Sequence, residues 1–199
     1  CVEEQVMELM IIGGSGLVGS NIARKASTVA TEAYSTYCTT ETDCSEIQLD
    51  KSDREAVRRR LQELKPDVVI DTAAFHDVDG CETNRNRAWS VNANGTYNLA
   101  KQCNQINAHY IYLSTDYVFG GDPNHAPYVE SDPASPINYY GRSKYAGEQA
   151  AMITEKSTIL RPSVVYGVTK DNFVTWVINE LGSGDSVDIV NDQVSTPTY

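Results

Sequence analysis

The chain has 199 residues and a formal net charge of −11, from 27 acidic against 16 basic side chains. Negative charge in this excess repels nucleic acid and anionic membrane surfaces, so neither is expected as a partner, and a soluble protein with small-molecule ligands is favoured; a high-salt habitat is the other source of such a balance. The length suits one well-buried core plus a fragment, and the five cysteines, Cys1, Cys38, Cys44, Cys81 and Cys103, lack the close pairing of a zinc site or disulfide framework and fit a reducing cytoplasm.

Residues 1–5 are acidic and lead straight into a short apolar run, without the basic start of a signal peptide. No run approaches the roughly 20 apolar residues that cross a bilayer. From there short apolar runs alternate with longer amphipathic stretches, the pattern of parallel strands buried by helices on both faces. Residues 6–12 read as the first strand, 17–27 as the first helix and 33–39 as the second strand. A charged helix over 53–65 precedes Pro66 and the strand 67–71 (DVVID). Residues 84–106 read as one long helix with Trp89, Val91, Ala93, Tyr97 and Ala100 on its inner faces. The strand 109–113, the helix 140–153 and strands at 157–160 and 187–190 complete the series. The expected fold class is α/β, a Rossmann-type doubly wound parallel sheet followed by the start of a smaller C-terminal lobe. Residues 1–165 would form the nucleotide-binding domain with its catalytic groups, and 166–199 a partial substrate-binding region. The irregular stretch 120–138, rich in Pro, Asp and Gly, directly follows a strand end, where long loops tend to be functional.

The chemistry is taken in the same order. Gly13, Gly16 and Gly19 follow a strand and open a helix, the context in which backbone amides and the helix dipole receive a dinucleotide pyrophosphate; Leu17 and Val18 lie in that turn. About 20 residues past such a turn an acid favours a ribose diol and an Arg a 2′-phosphate. Here Thr39-Thr40-Glu41 offers no base, so Glu41 leans toward NADH while NADPH stays open. Asp50 suits either the adenine amine or a helix N-cap ahead of Asp53. Ala73, Ala74 and Phe75 follow the strand 67–71, where small side chains let a cofactor lie against the backbone or simply pack tightly. His76 reads as an exposed loop residue and Asn92 as a hydrogen-bond partner of that loop. Finally Tyr140 and Lys144 lie one helical turn apart, downstream of Thr115 at a strand end. A Lys ammonium on the same helix face is expected to lower the phenol pKa so that Tyr140 can move a proton, with Thr115 holding a substrate oxygen.

With those residues in order, the chain resembles the extended short-chain dehydrogenase/reductases, and among them the dTDP-4-dehydrorhamnose reductases. The likeness rests on PDVVIDTAAFHDVDGCE (66–82), VNANGTYNLA (91–100), STDYVFGG (114–121), PYVESDPASPINYYGRSKYAGE (127–148), ILRPSVVYG (159–167) and DQVSTPTY (192–199). The resemblance implies Thr115, Tyr140 and Lys144 as a catalytic triad, the three glycines as the pyrophosphate turn, and Pro162 beside the nicotinamide amide. It implies NADPH or NADH as cofactor, a dTDP-sugar as substrate, reduction of the 4-keto group of a dTDP-6-deoxy-hexulose to dTDP-L-rhamnose, a cytoplasmic homodimer, and magnesium as an accessory ion with no ligand set in this chain. The family continues beyond the position matching Tyr199, so part of the sugar-nucleotide lobe is expected to be missing. A related epimerase or dehydratase, and a regulatory subunit like the methionine adenosyltransferase beta subunit, share much of this pattern.

Overall fold

The computed structural model describes residues 7–26, 28–30 and 32–199. The expectations for Cys1, Val6 and Ser27 therefore lie outside the described residues. Six parallel strands, β1 (Glu8–Ile12), β2 (Glu32–Tyr37), β3 (Ile47–Gln48), β4 (Val68–Asp71), β5 (His109–Leu113) and β6 (Ser157–Leu160), form one sheet in the order β3-β2-β1-β4-β5-β6. The sheet is the expected Rossmann-type arrangement, and the strand order reverses between β1 and β4. That reversal opens a crevice at the carboxyl ends of those two strands.

Strand β1 is buried on both faces, which is why ELMII lacks alternation. Met10 and Ile12 join a core with Val57, Leu61, Leu99, Tyr110 and Tyr112, while Leu9 and Ile11 pack with Ala26 on the opposite face. Helices α1 (Leu17–Ala26), α2 (Arg54–Leu64), α5 (Thr96–Ile106) and α6 (Tyr139–Ala151) supply most of the cover. Helix α2 shows how the local sequence sets its bounds. Asp53 caps it by accepting from the Glu55 and Ala56 amides, Lys65 ends it in the left-handed conformation at φ 46°, and Pro66 bars continuation. Val57 and Leu61, one turn apart, face the core fully buried, a contribution of roughly 1.5–3 kcal/mol each.

Three expectations need correction. The long helix over 84–106 is divided into α4 (Arg85–Trp89), a π-helical turn Ser90–Gly95 and α5, so its inner face shifts partway along. Ala93 and Ala100 point inward as expected and Val91 is half-buried, but Trp89 and Tyr97 are on the outside, 41% and 45% exposed. Residues 187–190 form no strand. An apolar run needs an edge to pair with, and Ile189 and Val190 instead lie more than half exposed. The structure also has two helices that the reading missed, α3 (Val78–Thr83) and α7 (Phe173–Gly182). Residues 166–199 contain no buried side chain and meet the rest through a bridge between Val165 and Thr198 and a hydrogen bond from Asn21 Nδ2 to Thr169 Oγ1 at 2.8 Å. No helix among the described residues is long and apolar enough to cross a membrane.

Candidate active site

The crevice at the β1/β4 switch point is lined on one side by the glycine turn. Gly13 has φ 86°, a conformation that disfavours any side chain, and a Cβ there would press on Ala73 at 3.0 Å. A Cβ on Gly19 would overlap the Gly13 carbonyl, because α1 starts close against the turn. These two glycines are thus required by the chain's own packing. Gly16 differs: it is exposed, and its missing Cβ would come only within 3.2 Å of the Gly13 carbonyl. Gly16 is the most open of the three. Beside it, the first turn of α1, with Leu17 and Val18, has amides without intrahelical acceptors and no acidic side chain.

Side chains from neighbouring strands fix this turn. The Gly13 amide donates to Thr36 Oγ1 at 3.2 Å, and Thr72 Oγ1 donates to the Ile12 carbonyl at 2.8 Å. After β4 the chain runs through Ala73, Ala74 and Phe75, all half-buried. Asn92 holds that loop as expected: its Oδ1 accepts from the Phe75 amide at 2.9 Å, and its Nδ2 donates to the Phe75 carbonyl at 3.0 Å and to Ser143 Oγ at 2.9 Å. The π-helical turn places Asn92 between the loop and α6, a widening that often occurs at functional sites.

The other side of the crevice is formed by the end of β5 and by α6. Asn138 caps α6 through the Gly141 amide at 2.7 Å. A Cβ on Gly141 would overlap the Tyr117 carbonyl and one on Gly147 would overlap Tyr112 and Asn92, so both glycines let α6 settle onto β5 and the π turn. The buried stripe of α6 is Gly141, Ser143, Lys144, Gly147, Glu148 and Ala151. Two charged residues stand in it. Glu148 is fully buried, accepts from Ser114 Oγ at 2.5 Å, and receives Arg161 through both oxygens at 2.9 and 2.7 Å. This pairing ties the ends of β5 and β6 to α6, next to Thr115.

Thr115, Tyr140 and Lys144 come together at this corner. Thr115 is 6% exposed, and its hydroxyl donates to Asp116 Oδ1 at 3.2 Å while accepting from the Tyr117 amide. Asp116 is held in turn by Ser163 Oγ at 2.6 Å, and its amide donates to the Pro162 carbonyl. The Tyr140 ring meets Tyr117 edge-on at 5.7 Å. Burial pushes the Tyr140 phenol up to about 12, with the neighbouring Thr115 hydroxyl pulling the other way. Lys144 does not lower it as expected. Its Nζ donates to the Leu113 carbonyl at 2.6 Å and lies 4.3 Å from the Tyr112 ring centre. Burial, with repulsion from Lys51, brings Lys144 down to about 7, so much of its population lacks the charge that would stabilise a phenolate.

Other expected residues stand apart from this corner. Glu41 is exposed beyond the end of β2. Asp50 is exposed and folds its Oδ1 onto the amide and hydroxyl of Ser52 at 2.8 and 2.7 Å, leaving the cap of α2 to Asp53. His76 is exposed, as expected. Among the described residues no group of three or more His, Cys, Asp or Glu is arranged to hold a metal ion. The reading missed Ser143, Glu148 and Arg161, and also the buried pair of Lys51 with Asp71. A charged residue closing the apolar run VVID was the one signal available for that pair.

Known proteins share both the sequence and the arrangement. The family profile described as RmlD substrate binding domain matches residues 7–199. A probable low-salt glycan biosynthesis reductase, Agl14 of Haloferax volcanii, is 38% identical over 96% of this chain and 66% of its own length. The dTDP-4-dehydrorhamnose reductase of Mycolicibacterium smegmatis is 38% identical over 100% of this chain and 58% of its own. The chain therefore spans less than two thirds of these relatives' length. Among solved structures, a dTDP-4-dehydrorhamnose reductase from Clostridium acetobutylicum superposes with a TM-score of 0.86 at 35% identity, covering 96% of this chain and 65% of that one. Another from Bacillus anthracis, in complex with NADP, gives 0.81 at 34% identity over 92% and 62%.

Proposed function

The chain belongs to the RmlD substrate binding domain family, and from that premise we propose that it is the greater part of an NAD(P)H-dependent reductase acting on the 4-keto group of a dTDP-6-deoxy-hexulose. The observation that carries the reading is the convergence of Thr115, Tyr140 and Lys144 beside a glycine turn with room at Gly16. The residues present fit the cofactor. The open cradle at Gly16 and the amides of the first turn of α1 would take the pyrophosphate, Ala73, Ala74 and Phe75 would line its path, and Lys144 and Pro162 would serve the nicotinamide end. When bound, NADH or NADPH supplies a hydride for the ketone carbon.

The protein's own share is to bind, orient and move one proton. Tyr140 stays protonated up to about pH 12 and so stands as an acid, ready to donate to the ketone oxygen as that oxygen gains charge. Thr115 fixes the same oxygen. To do so its hydroxyl must turn from Asp116 Oδ1, to which it donates here at 3.2 Å and which Ser163 holds in place, toward that oxygen. The proton lost from Tyr140 is recovered from water after the alcohol leaves. Nothing at residues 39–41 forms an Arg fork, so NADH and NADPH should differ in affinity by less than about tenfold, or roughly 1.4 kcal/mol.

The domain division at residue 165, dimerisation and a cytoplasmic location belong to the same proposal. The test is oxidation of NADPH by the protein at its full natural length, with and without the dTDP-4-keto sugar. Consumption of one cofactor per sugar reduced is expected. A cofactor that stays bound and is not consumed would instead indicate an epimerase or dehydratase, and no turnover at all a regulatory subunit.

A further inference from the structure

Lys51 and Asp71 form an ion pair beneath the site, with the side chains 2% and 0% exposed. Lys51 follows Asp50 in the link to α2, and its aliphatic stem passes Gly95, where a Cβ would press on it at 2.7 Å. Its Nζ donates to Asp71 Oδ2 at 2.6 Å, to the Ala73 carbonyl at 2.8 Å and to Thr96 Oγ1 at 3.3 Å. Asp71 Oδ2 also accepts from the Tyr110 hydroxyl at 2.8 Å, and its Oδ1 accepts from the Ala73 amide at 3.2 Å. Every donor of the ammonium is used. Both backbone polar groups of Ala73 are held by this one pair, on the residue that backs Gly13.

Stability is a poor reason to bury such a pair. Desolvating two charges costs about what their attraction returns, and apolar replacements are often neutral or stabilising. The pair's position suggests another use, because Lys51 also reaches the other side of the site. Its Nζ lies 5.8 Å from the centre of the Tyr112 ring, the ring that Lys144 Nζ approaches at 4.3 Å. We propose that Lys51 and Asp71 are positioning residues of the active site, locking the Ala73 backbone against the glycine turn and governing the charge on Lys144. This rests on the reading of Lys144 and of the 73–75 loop given above.

The groups that act on Lys144 come from each neighbouring element. Lys51 repels it from the link before α2, and Asp71 attracts it from the end of β4, as does Glu148 from α6 itself. Tyr112 of β5 lies under it, Tyr140 is one turn away, and Arg161 neutralises much of Glu148. Of the two members of the pair Lys51 acts more strongly, after burial itself. Removing the Lys51 charge should therefore raise the protonation midpoint of Lys144.

The experiment is a pH titration of the full-length protein labelled with ε-13C lysine, the Lys144 signal being identified by its loss in Lys144→Met. The wild type is expected to titrate near 7, and Lys51→Met to titrate about one unit or more higher. Lys51→Met leaves a buried carboxylate and can fail to fold, so Lys51→Gln, which removes the charge and keeps a donor for Asp71 and the Ala73 carbonyl, decides in that case, with a shift in the same direction. A midpoint in both Lys51 variants equal to that of the wild type overturns the charge role. NADPH titration of the same variants reads the loop. About tenfold weaker binding is expected, and unchanged binding overturns the clamp on Ala73. If wild-type protein does not bind NADPH at all, the function reading fails on its own account, while the Lys144 titration still decides the charge role.

Discussion

The glycine turn and the Tyr140 corner face one another across the same crevice, yet they are built from different materials. The turn is backbone packed on backbone, fixed by two threonine hydroxyls that reach it from β2 and from the end of β4. The corner is assembled from buried polar side chains that are far apart in the chain: Asn92 with Ser143, Ser114 with Glu148, Glu148 with Arg161, Lys51 with Asp71. A binding surface for a pyrophosphate needs only amides in a fixed direction. A proton donor needs a controlled environment, and that environment is made of long-range contacts. The two regions should therefore fail in different ways.

The largest effect is expected at the turn. Gly16→Val places a branched side chain on the exposed member of the turn, so NADPH binding should be abolished while the unfolding midpoint falls far less than in Gly13→Val or Gly19→Val, where the new side chain meets backbone at 3.0 Å or less. Calorimetric titration beside a thermal melt checks both halves, and unchanged NADPH affinity would remove the pyrophosphate assignment. Next comes the corner. Tyr140→Phe removes a single hydroxyl, so kcat should fall on the order of a hundredfold while cofactor affinity holds, the usual worth of a positioned acid. Steady-state kinetics beside a binding titration would show it, and near-wild-type turnover would move the regulatory-subunit reading to the front.

A smaller effect tests whether the corner depends on distant contacts. Asn92→Ala should cost about 1–3 kcal/mol in denaturant unfolding, because the Phe75 amide and carbonyl lose their partner inside the protein. A cost near zero would mean that the loop is held by something else. A further effect is one of pH. Burial lowers Lys144 from 10.5 to about 7 in the folded protein, so the unfolded chain holds the extra proton between those values. The penalty for burying the charge is full below about pH 7 and is relieved as pH rises toward 10.5. The stability of wild type relative to Lys144→Met should accordingly climb through that window, and a flat difference would contradict the placement of Lys144.

The same contrast explains what could be read from the sequence. Five of the six strands, the capped helix α2 and the glycine turn announce themselves locally, through apolar runs, Asp53 and Pro66, and glycines at fixed spacing, whereas the two-residue edge strand β3 carries no such run. Thr115, Tyr140 and Lys144 were legible as a pattern, but their electrostatics were not. Spacing says that Lys144 shares a helix face with Tyr140; it does not say that the ammonium turns to Leu113 and Tyr112, or that burial outweighs its charge. Trp89 and Tyr97 were misplaced because the π turn at 90–95 rotates the helix, and the extra residue that makes it has no composition of its own. Lys51 is invisible for a related reason. Its partners lie 20, 22 and 45 residues away, and only the folded sheet brings them together.

The central claim is that this corner reduces a ketone, and it is tested most directly by following the hydride. The full-length protein would be given NADPH deuterated at the transferable position together with the dTDP-4-keto-6-deoxy sugar, and the product examined by mass spectrometry and NMR. The account predicts one deuterium on C4 of the sugar for each cofactor oxidised. A product without deuterium at C4, or a sugar altered while the cofactor remains reduced, would contradict it.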